Sequence, residues 1–505
     1  MFRLVEHRSH RWNSNEKKCT LPVMLDAMSV PMFHTIFDLV VVGGGTAGMP
    51  CALAAVEGGA SVLLIDKADH LGGTLTISGG HMSAAGTALQ QRHGITNDSI
   101  DQHYDDVVRI SEDTARHDIA RKAVELAPEM MDWLDREGFA WHPSAPRIVY
   151  GHEPYGIPRT AYGVDEGRTM LDFLASRIQA RQANGEMDVW LSSPMQSLIT
   201  SDAGHVTGVV VERNGTPVSV SARSVVLATG GFGANPELFA ELEGVPLVSA
   251  AVETSTGDGL LAARSIGAGI AGVGTYLPTF GGMPAPDNPQ RVQWVDRPHL
   301  AATERMPYEI YVDAYGKRFI AEDDESIDRK ERALTNVENM TFFMVFDDHA
   351  VSVSAPMVIG WTAEKMRERA NTRDGVYAAD SVEELAAKAG IEAAGLADTI
   401  ASYNASVAAG GGDSLGRTFL PAPIAVGPFY ALRNHGITLL TFAGVDVDSD
   451  LRVRRSDGSV IEGLYGLGEL LGSGAYMGNS FCSGMLVGPC ISFGRWLGTE
   501  LARRR

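Results

Sequence analysis

The chain has 505 residues, a formal net charge of −20, 45 % hydrophobic residues and 21 % charged residues. That length exceeds one ordinary core, so two domains are expected, and the composition excludes a largely disordered chain. The acidic balance disfavours nucleic acid and anionic membranes as partners, and no apolar run reaches the roughly 18 residues of a spanning helix.

Residues 1–35 read as an N-terminal extension. Its first part is basic and polar (His7, Arg8, His10, Arg11, Lys17, Lys18) and lacks the apolar core of a signal peptide, so disorder is expected over much of residues 1–31. The four cysteines, Cys19, Cys51, Cys482 and Cys490, form no metal-ligand or C-x-x-C pattern. A reduced, cytoplasmic setting without bound metal is the expectation, with Cys482 a small apolar filler.

The chain proper opens at Asp38-Leu39-Val40-Val41-Val42-Gly43-Gly44-Gly45-Thr46-Ala47-Gly48. An apolar strand meets G-x-G-x-x-G (Gly43, Gly45, Gly48), an Ala-rich helix follows, and a second strand, Ser61–Ile65, ends in Asp66. Both strands, the helix and the acid together are the context that dinucleotide binding requires. Gly43 allows the turn, Gly45 lets a pyrophosphate approach the backbone, and Gly48 lets helix and strand pack closely. The helix N-terminus offers unpaired N–H groups to the phosphates, and Asp66 is placed for a ribose hydroxyl.

After Lys67 comes a loop with two glycine pairs, Gly72-Gly73-Thr74 and Ser78-Gly79-Gly80, read as wrapping the cofactor. Residues 119–137 carry helical spacing, and a Pro-containing loop, 151–160, leads into a helix from about Gly167 to Ala183. Residues 189–227 read as a β-meander ending in Ala228-Thr229-Gly230, a second close backbone approach. Ser255-Thr256-Gly257-Asp258-Gly259 caps a helix, and Asp258 orients the loop. From about Gly272 the frequency of Pro and Gly rises. The fold class is therefore α/β. A Rossmann-like domain (36–271 and 428–505) carries an inserted α+β capping domain (272–427), in which Ser381-Val382-Glu383-Glu384 opens a helix. A closing helix is expected at about Gly484–Leu501.

The order of these motifs, with Gly316-Lys317-Arg318-Phe319, Glu322 and the Gly463–Glu469 run, resembles the fumarate reductase and succinate dehydrogenase flavoprotein superfamily. Within it, the chain is most similar to the 3-ketosteroid and tricarballylate dehydrogenase branch. The resemblance covers about residues 36–505 and implies FAD, held noncovalently. Gly43, Gly45, Thr46, Ala47, Gly48, Asp66 and Lys67 would hold the ADP half. Gly72, Gly73, Thr74, Ser78, Gly79 and Gly80 would contact the phosphates and flavin side, and Ala228, Thr229 and Gly230 would line the nucleotide. Glu469 would bind ribityl or ribose hydroxyls. Backbone N–H groups around Gly484, Met485 and Leu486 would face the flavin's pyrimidine carbonyl, where reduced flavin is negative.

The chain departs from fumarate reductases at the substrate. His-Pro-Thr becomes Leu277-Pro278-Thr279, and His-Thr-Met-Gly-Gly becomes Leu440-Thr441-Phe442-Ala443-Gly444. The arginine-bearing loop reads Gly478-Asn479-Ser480-Phe481. Three groups that clamp a dicarboxylate are absent, and a carboxylate buried without such partners is costly. The expected substrate is therefore a small, more apolar carbonyl compound, and the expected reaction is α,β-dehydrogenation. The alternatives are an enone or enoate reductase, a tricarballylate dehydrogenase-like enzyme, and a flavin carrier without turnover. Tyr476 is either a donor to the carbonyl or a packed tyrosine. Arg329 is either the proton-delivering arginine or part of a solvated charge run. Tyr308 is a further donor candidate. Arg159 is read as pinning its loop, and His435 as structural. No haem or iron–sulfur pattern is present, so the electron partner stays open.

Overall fold

The computed structural model describes residues 32–504. The apolar run before the glycine cluster lies in β1 (Met32–Val42), where Leu39, Val40 and Val41 are buried. A continuous run of this kind suits a strand of a parallel sheet covered on both faces. The backbone of 32–35 belongs to this strand and not to an extension, because Met32 is already in register with Ser219. The expectation of disorder for residues 1–31 lies outside the described residues.

The chain leaves β1 through Gly43, forms α1 (Gly48–Glu57) and returns in β2 (Val62–Ile65), parallel to β1 with Val40 opposite Leu63. Next come α2 (His117–Arg136), which buries Ile119, Ala123, Met130 and Leu134 on one stripe, and α3 (Glu166–Ala183). The 189–227 stretch divides in two. β3 (Asp188–Trp190) adds to the sheet parallel to β2, because its Val189 and Trp190 extend the same buried layer. β4 (Met195–Thr200), β5 (Val206–Arg213) and β6 (Thr216–Leu227) form the antiparallel meander, and the end of β6 continues in parallel against β1. α4 (Asp258–Ser265) follows.

The lid is built on β7 (Ile310–Val312), α5 (Ile327–Leu334), β8 (Thr341–Asp347), β9 (Val376–Ala379), α6 (Ala393–Ala409) and β10 (Phe429–His435). Its antiparallel sheet runs β7-β8-β10-β9. Alternate residues of β8 serve two cores. Phe342, Met344 and Phe346 join one cluster with Phe280 and Tyr311, while Phe343 and Val345 join another with Leu396 of α6. The expected boundary after residue 427 needs correction. β10 pairs along its whole length with β8, so the lid extends to His435.

The chain then returns to the first sheet as β11 (Arg452–Arg454) and β12 (Val460–Gly466), giving the order β11-β12-β6-β1-β2-β3. It ends in α7 (Val487–Arg503), which packs on α1. Glycines permit that approach. A Cβ at Gly494 would lie 2.5 Å from the Ala47 carbonyl, and one at Gly498 2.2 Å from the Cys51 carbonyl. Among the described residues, no helix is long and apolar enough to cross a membrane.

Candidate active site

Six separate stretches of the first domain converge on one cavity of about 560 Å³. The turn after β1 supplies Gly43, Gly45, Thr46 and Ala47, the end of β2 supplies Asp66 and Lys67, and the following loop supplies Gly73, Thr74 and Ser78. The end of β6 adds Ala228, Thr229 and Gly230, α4 adds Asp258, and the C-terminal segment adds Glu469 and Leu486. Backbone packing explains the turn. A Cβ at Gly43 would sit 2.3 Å from the Ala228 carbonyl, and one at Gly48 1.8 Å from the Gly43 carbonyl. At Gly45 a Cβ would meet nothing nearer than the Gly73 Cα at 4.0 Å, so that glycine leaves open space between two loops.

Other candidates lie behind the cavity wall. Gly48 lets α1 approach β1. Gly72 abuts Leu171, and Gly80 abuts Gly167, which docks the loop on α3. Gly79 borders the His81 ring. The C-terminal reading shifts along the chain. α7 begins at Val487, three residues after Gly484, because Gly484 is left-handed (φ +80°) and Met485 donates its N–H to the Cys482 carbonyl. Gly484 and Met485 thus shape the turn, and Leu486 and Val487 face the cavity. Neither α1 nor α7 has a side-chain cap; the Met49 and Gly488 N–H groups bond the Gly45 and Gly484 carbonyls, and Pro50 and Pro489 have no N–H, which leaves the leading residues Gly48 and Val487 to face the cavity side.

The polar groups are already arranged. Asp66 accepts from the Gly44 N–H at 2.6 Å and the Ala68 N–H at 2.8 Å, which clamps the glycine turn to β2. Lys67 donates to Thr256 Oγ1 at 2.5 Å and Asp258 Oδ2 at 2.7 Å, tying α4 to the same wall. The Thr229 hydroxyl is buried without a hydrogen-bond partner. Glu469 Oε1 accepts from the Thr441 N–H at 2.9 Å and hydroxyl at 3.2 Å, and burial pushes its carboxyl up to about 7. Sequence reasoning missed Ser193, the 250–254 stretch, Cys490 and Arg291. Arg291 belongs to a ribbon strand, Asn288–Val292, that is bonded to Ser249, and no local pattern signals that contact.

The lid meets the base where α5 and residues 478–483 pack against the 151–160 loop. His152 stacks on Phe481 (centroids 5.5 Å apart), which meets Phe442 edge-on at 5.5 Å, and Phe442 meets Tyr276 at 5.8 Å. Leu277 is buried beside them. Hydrogen bonds join α5 and its cap to the base. Ser480 Oγ donates to Asp328 Oδ1 at 2.6 Å, Ser326 Oγ to Glu153 at 2.8 Å, and Arg332 to the Asn479 carbonyl at 3.3 Å. Burial dominates the titration here. Burial and neighbouring His81 hold His152 down at about 4 against the pull of Asp328, and burial, with Arg147 adding, holds His81 down at about 4. Burial and neighbouring Asp328 keep the Glu331 carboxyl well above its ordinary range.

The proposed donors do not assemble here. Tyr476 needs correction as a substrate donor: it is fully buried, packs on Phe493 and donates to the Gly468 carbonyl at 3.1 Å. Arg329 points to solvent, its side chain 67 % exposed and paired with Asp324, because its position on α5 faces away from the base. Tyr308 packs edge-on against Phe419. Arg159 is buried between Asp98 and Asp106 and holds its loop to the α-helical layer. His435 bonds Thr341 across the lid strands, and Cys482 is buried in the core.

The residues present fit FAD. The cavity offers open space between the Gly45 and Gly73 loops, two helix starts without side-chain caps and a buried carboxyl. Comparison with known proteins agrees. The probable fumarate reductase Ifc3 of Shewanella frigidimarina is 29 % identical over 473 residues, 92 % of this chain and 75 % of that protein. The 4-oxocyclohex-2-ene-1-carboxylate 5-dehydrogenase of Sinomonas cyclohexanicum is 27 % identical, covering 92 % of this chain and 94 % of the relative. The crystal structure of the 3-ketosteroid Δ1-dehydrogenase from Sterolibacterium denitrificans, 23 % identical, shares the fold at a TM-score of 0.78 over 93 % of this chain and all (100 %) of that one. The FAD binding domain family model matches residues 38–486, so the chain belongs to that family and is an FAD-dependent oxidoreductase.

Proposed function

We propose that the enzyme oxidises a CH–CH bond next to a carbonyl in an uncharged compound, a ketone α,β-dehydrogenation, and does not reduce fumarate. The observation that carries this reading is the state of the cations at the lid boundary. Arg329 is paired with Asp324, Arg332 with Asp328, and Arg159 with Asp98 and Asp106. Leucines 277 and 440 and Phe481 stand where a dicarboxylate clamp would need polar groups. A charged substrate would gain one of these three guanidinium groups only by displacing its present carboxylate. The name of the Sinomonas relative, a dehydrogenase of a cyclic enone carboxylate, supports dehydrogenation as the direction and not the absence of charge on the substrate. The name of the Shewanella relative supports the reverse reading, an enone or enoate reductase.

When bound, FAD supplies the hydride acceptor or donor. The chain's own contribution is holding and exclusion. The 43–48 turn and α1 take the pyrophosphate, Glu469 takes a ribose or ribityl hydroxyl, and the start of α7 favours negative charge at the pyrimidine edge. The cofactor is held without a covalent bond in this reading. The lid links at Ser326, Asp328 and Arg332 keep water from the reacting carbons. Anaerobic mixing of oxidised enzyme with cyclic ketones tests the proposal. Bleaching of the flavin band by a ketone is expected. Reoxidation of dithionite-reduced enzyme by enones alone would favour the reductase, and rapid turnover of fumarate would overturn the reading.

A further inference from the structure

The cofactor cavity has a piece of wall that comes from the lid. Pro284–Ala285 and Asn288–Val292 form a two-stranded ribbon that leaves the lid core after the buried Met283. The ribbon docks on the first domain at Ser249. The Ser249 N–H donates to the Gln290 carbonyl at 2.7 Å, and the Val292 N–H donates to the Ser249 carbonyl at 2.9 Å. Ser249 is itself fixed, because its hydroxyl donates to the Gly233 carbonyl at 2.5 Å. This docking brings Arg291 and Val292 into the cavity lining. The half-buried Arg291 donates from Nη2 to the carbonyl of Ala251, a lining residue, at 2.8 Å. Of the basic side chains in the lining, Lys67 is paired with Asp258 and His70 with Asp69. Among the described residues Arg291 has no carboxylate partner, and the nearby lining residue Glu253 is exposed and not paired with it. Arginine keeps its proton at any working pH, so an unpaired guanidinium in a cavity wall favours an anion in that cavity.

We propose that Arg291 is the lid's contribution to cofactor binding, a cation that pairs with the diphosphate of FAD and adds to the backbone N–H groups of the 43–48 turn. This rests on the placing of the diphosphate at that turn. The path of the chain indicates which part of FAD the guanidinium serves. Ala251 packs on Gly233, where an added Cβ would lie 2.9 Å from the Ala251 Cβ. Two residues earlier, a Cβ at Gly231 would lie 2.3 Å from Glu469 Oε1. In the other direction the chain runs from Ala251 to Thr256 and Asp258, which Lys67 holds. Arg291 is thus tied to the wall segment that joins the Glu469 carboxyl to the Asp66–Lys67 corner. With Asp66 on the adenosine ribose and Glu469 on the ribityl chain, the group of FAD between them is the diphosphate. Nη2 is held by Ala251, which leaves the Nε and Nη1 hydrogens for phosphate oxygens. Cofactor retention then depends on a lid ribbon that lies outside the nucleotide-binding motifs.

The test is equilibrium binding of FAD to the full-length protein stripped of its cofactor, read from quenching of flavin fluorescence and by calorimetry, with no substrate present. Arg291→Gln removes the charge and keeps a side-chain N–H, and Arg291→Lys returns the charge as a point. R291Q is expected to bind FAD about tenfold more weakly than wild type, and R291K to recover part of that loss. Raising the ionic strength from about 0.05 to about 0.5 M should weaken binding to the wild type at least twofold more than binding to R291Q, because the screened pair is missing from the variant. If R291Q does not fold, Arg291→Met takes its place. Binding by the uncharged variant within twofold of wild type overturns the role of Arg291. So does a weakened variant whose salt response matches wild type, or an R291K no better than R291Q, since either result assigns the loss to a displaced ribbon. Wild-type protein that does not take up FAD overturns the cofactor assignment as well.

Discussion

Glu469 and Tyr476 are both buried near the cavity, yet their polar atoms differ in what they are free to do. Tyr476 has spent its hydroxyl on the Gly468 carbonyl, whereas Glu469 keeps an oxygen toward the cavity wall. Tyr476→Phe should therefore reduce stability by about 1 kcal/mol and leave kcat within a fewfold. Loss of a true proton-transfer tyrosine would lower the rate roughly 100-fold or more, and steady-state assays separate the two. Glu469 is a stability sensor in the FAD-free protein. Its carboxyl titrates at about 7 in the fold and at 4.5 ordinarily. A raised pKa means the contribution is fully present below about pH 4.5 and is lost as pH rises through 7. The Tm of the FAD-free wild type should fall relative to Glu469→Gln between pH 5 and 8, by the equivalent of up to about 3 kcal/mol. Parallel pH profiles for the two proteins would contradict it.

At the scale of elements, the contact between α1 and α7 governs how both helix starts meet the cofactor. Gly498→Ala places a Cβ against the Cys51 carbonyl, so α7 must move off α1. A stability loss of about 2–4 kcal/mol is expected in denaturant unfolding, together with weaker FAD retention on gel filtration. These elements also show what a sequence reveals. The Gly43–Gly48 turn was legible because backbone collisions at Gly43 and Gly48 demand glycine whatever the rest of the chain does. The lid helices were legible where caps such as Ser381 announce them; Ser381 accepts the Glu384 N–H as expected. The start of α7 was misplaced because a left-handed Gly484 followed by a turn leaves the same residue types as a helix start. Tyr476 was misread because residue type does not disclose direction, and the short Gly474–Met477 helix turns its ring into the core. Arg291 was illegible as a cavity residue. It reaches its place through a ribbon whose docking depends on Ser249, far away in the chain.

Across the whole molecule, four histidines, one buried and three half-buried, share one electrostatic bias. His81, His152 and His435 are held down at about 4 and His103 at about 3, each chiefly by burial. An unfolded chain takes up these protons near pH 6.5, so the fold's stability is present above that pH and is lost as pH falls toward 4. The urea midpoint should drop between pH 7 and pH 5, a trend opposite in sign to that of Glu469. A midpoint that rises over that interval would show the imidazoles to be solvated. The first sheet has a further consequence. β12, from the last tenth of the chain, pairs with β6, and α7 closes over α1, while the lid sequence lies between. During translation the lid therefore leaves the ribosome while the domain on either side of it is still missing an edge strand and a covering helix. Until residues 460–503 follow the lid, the first sheet is open along β6 and α1 lacks its cover.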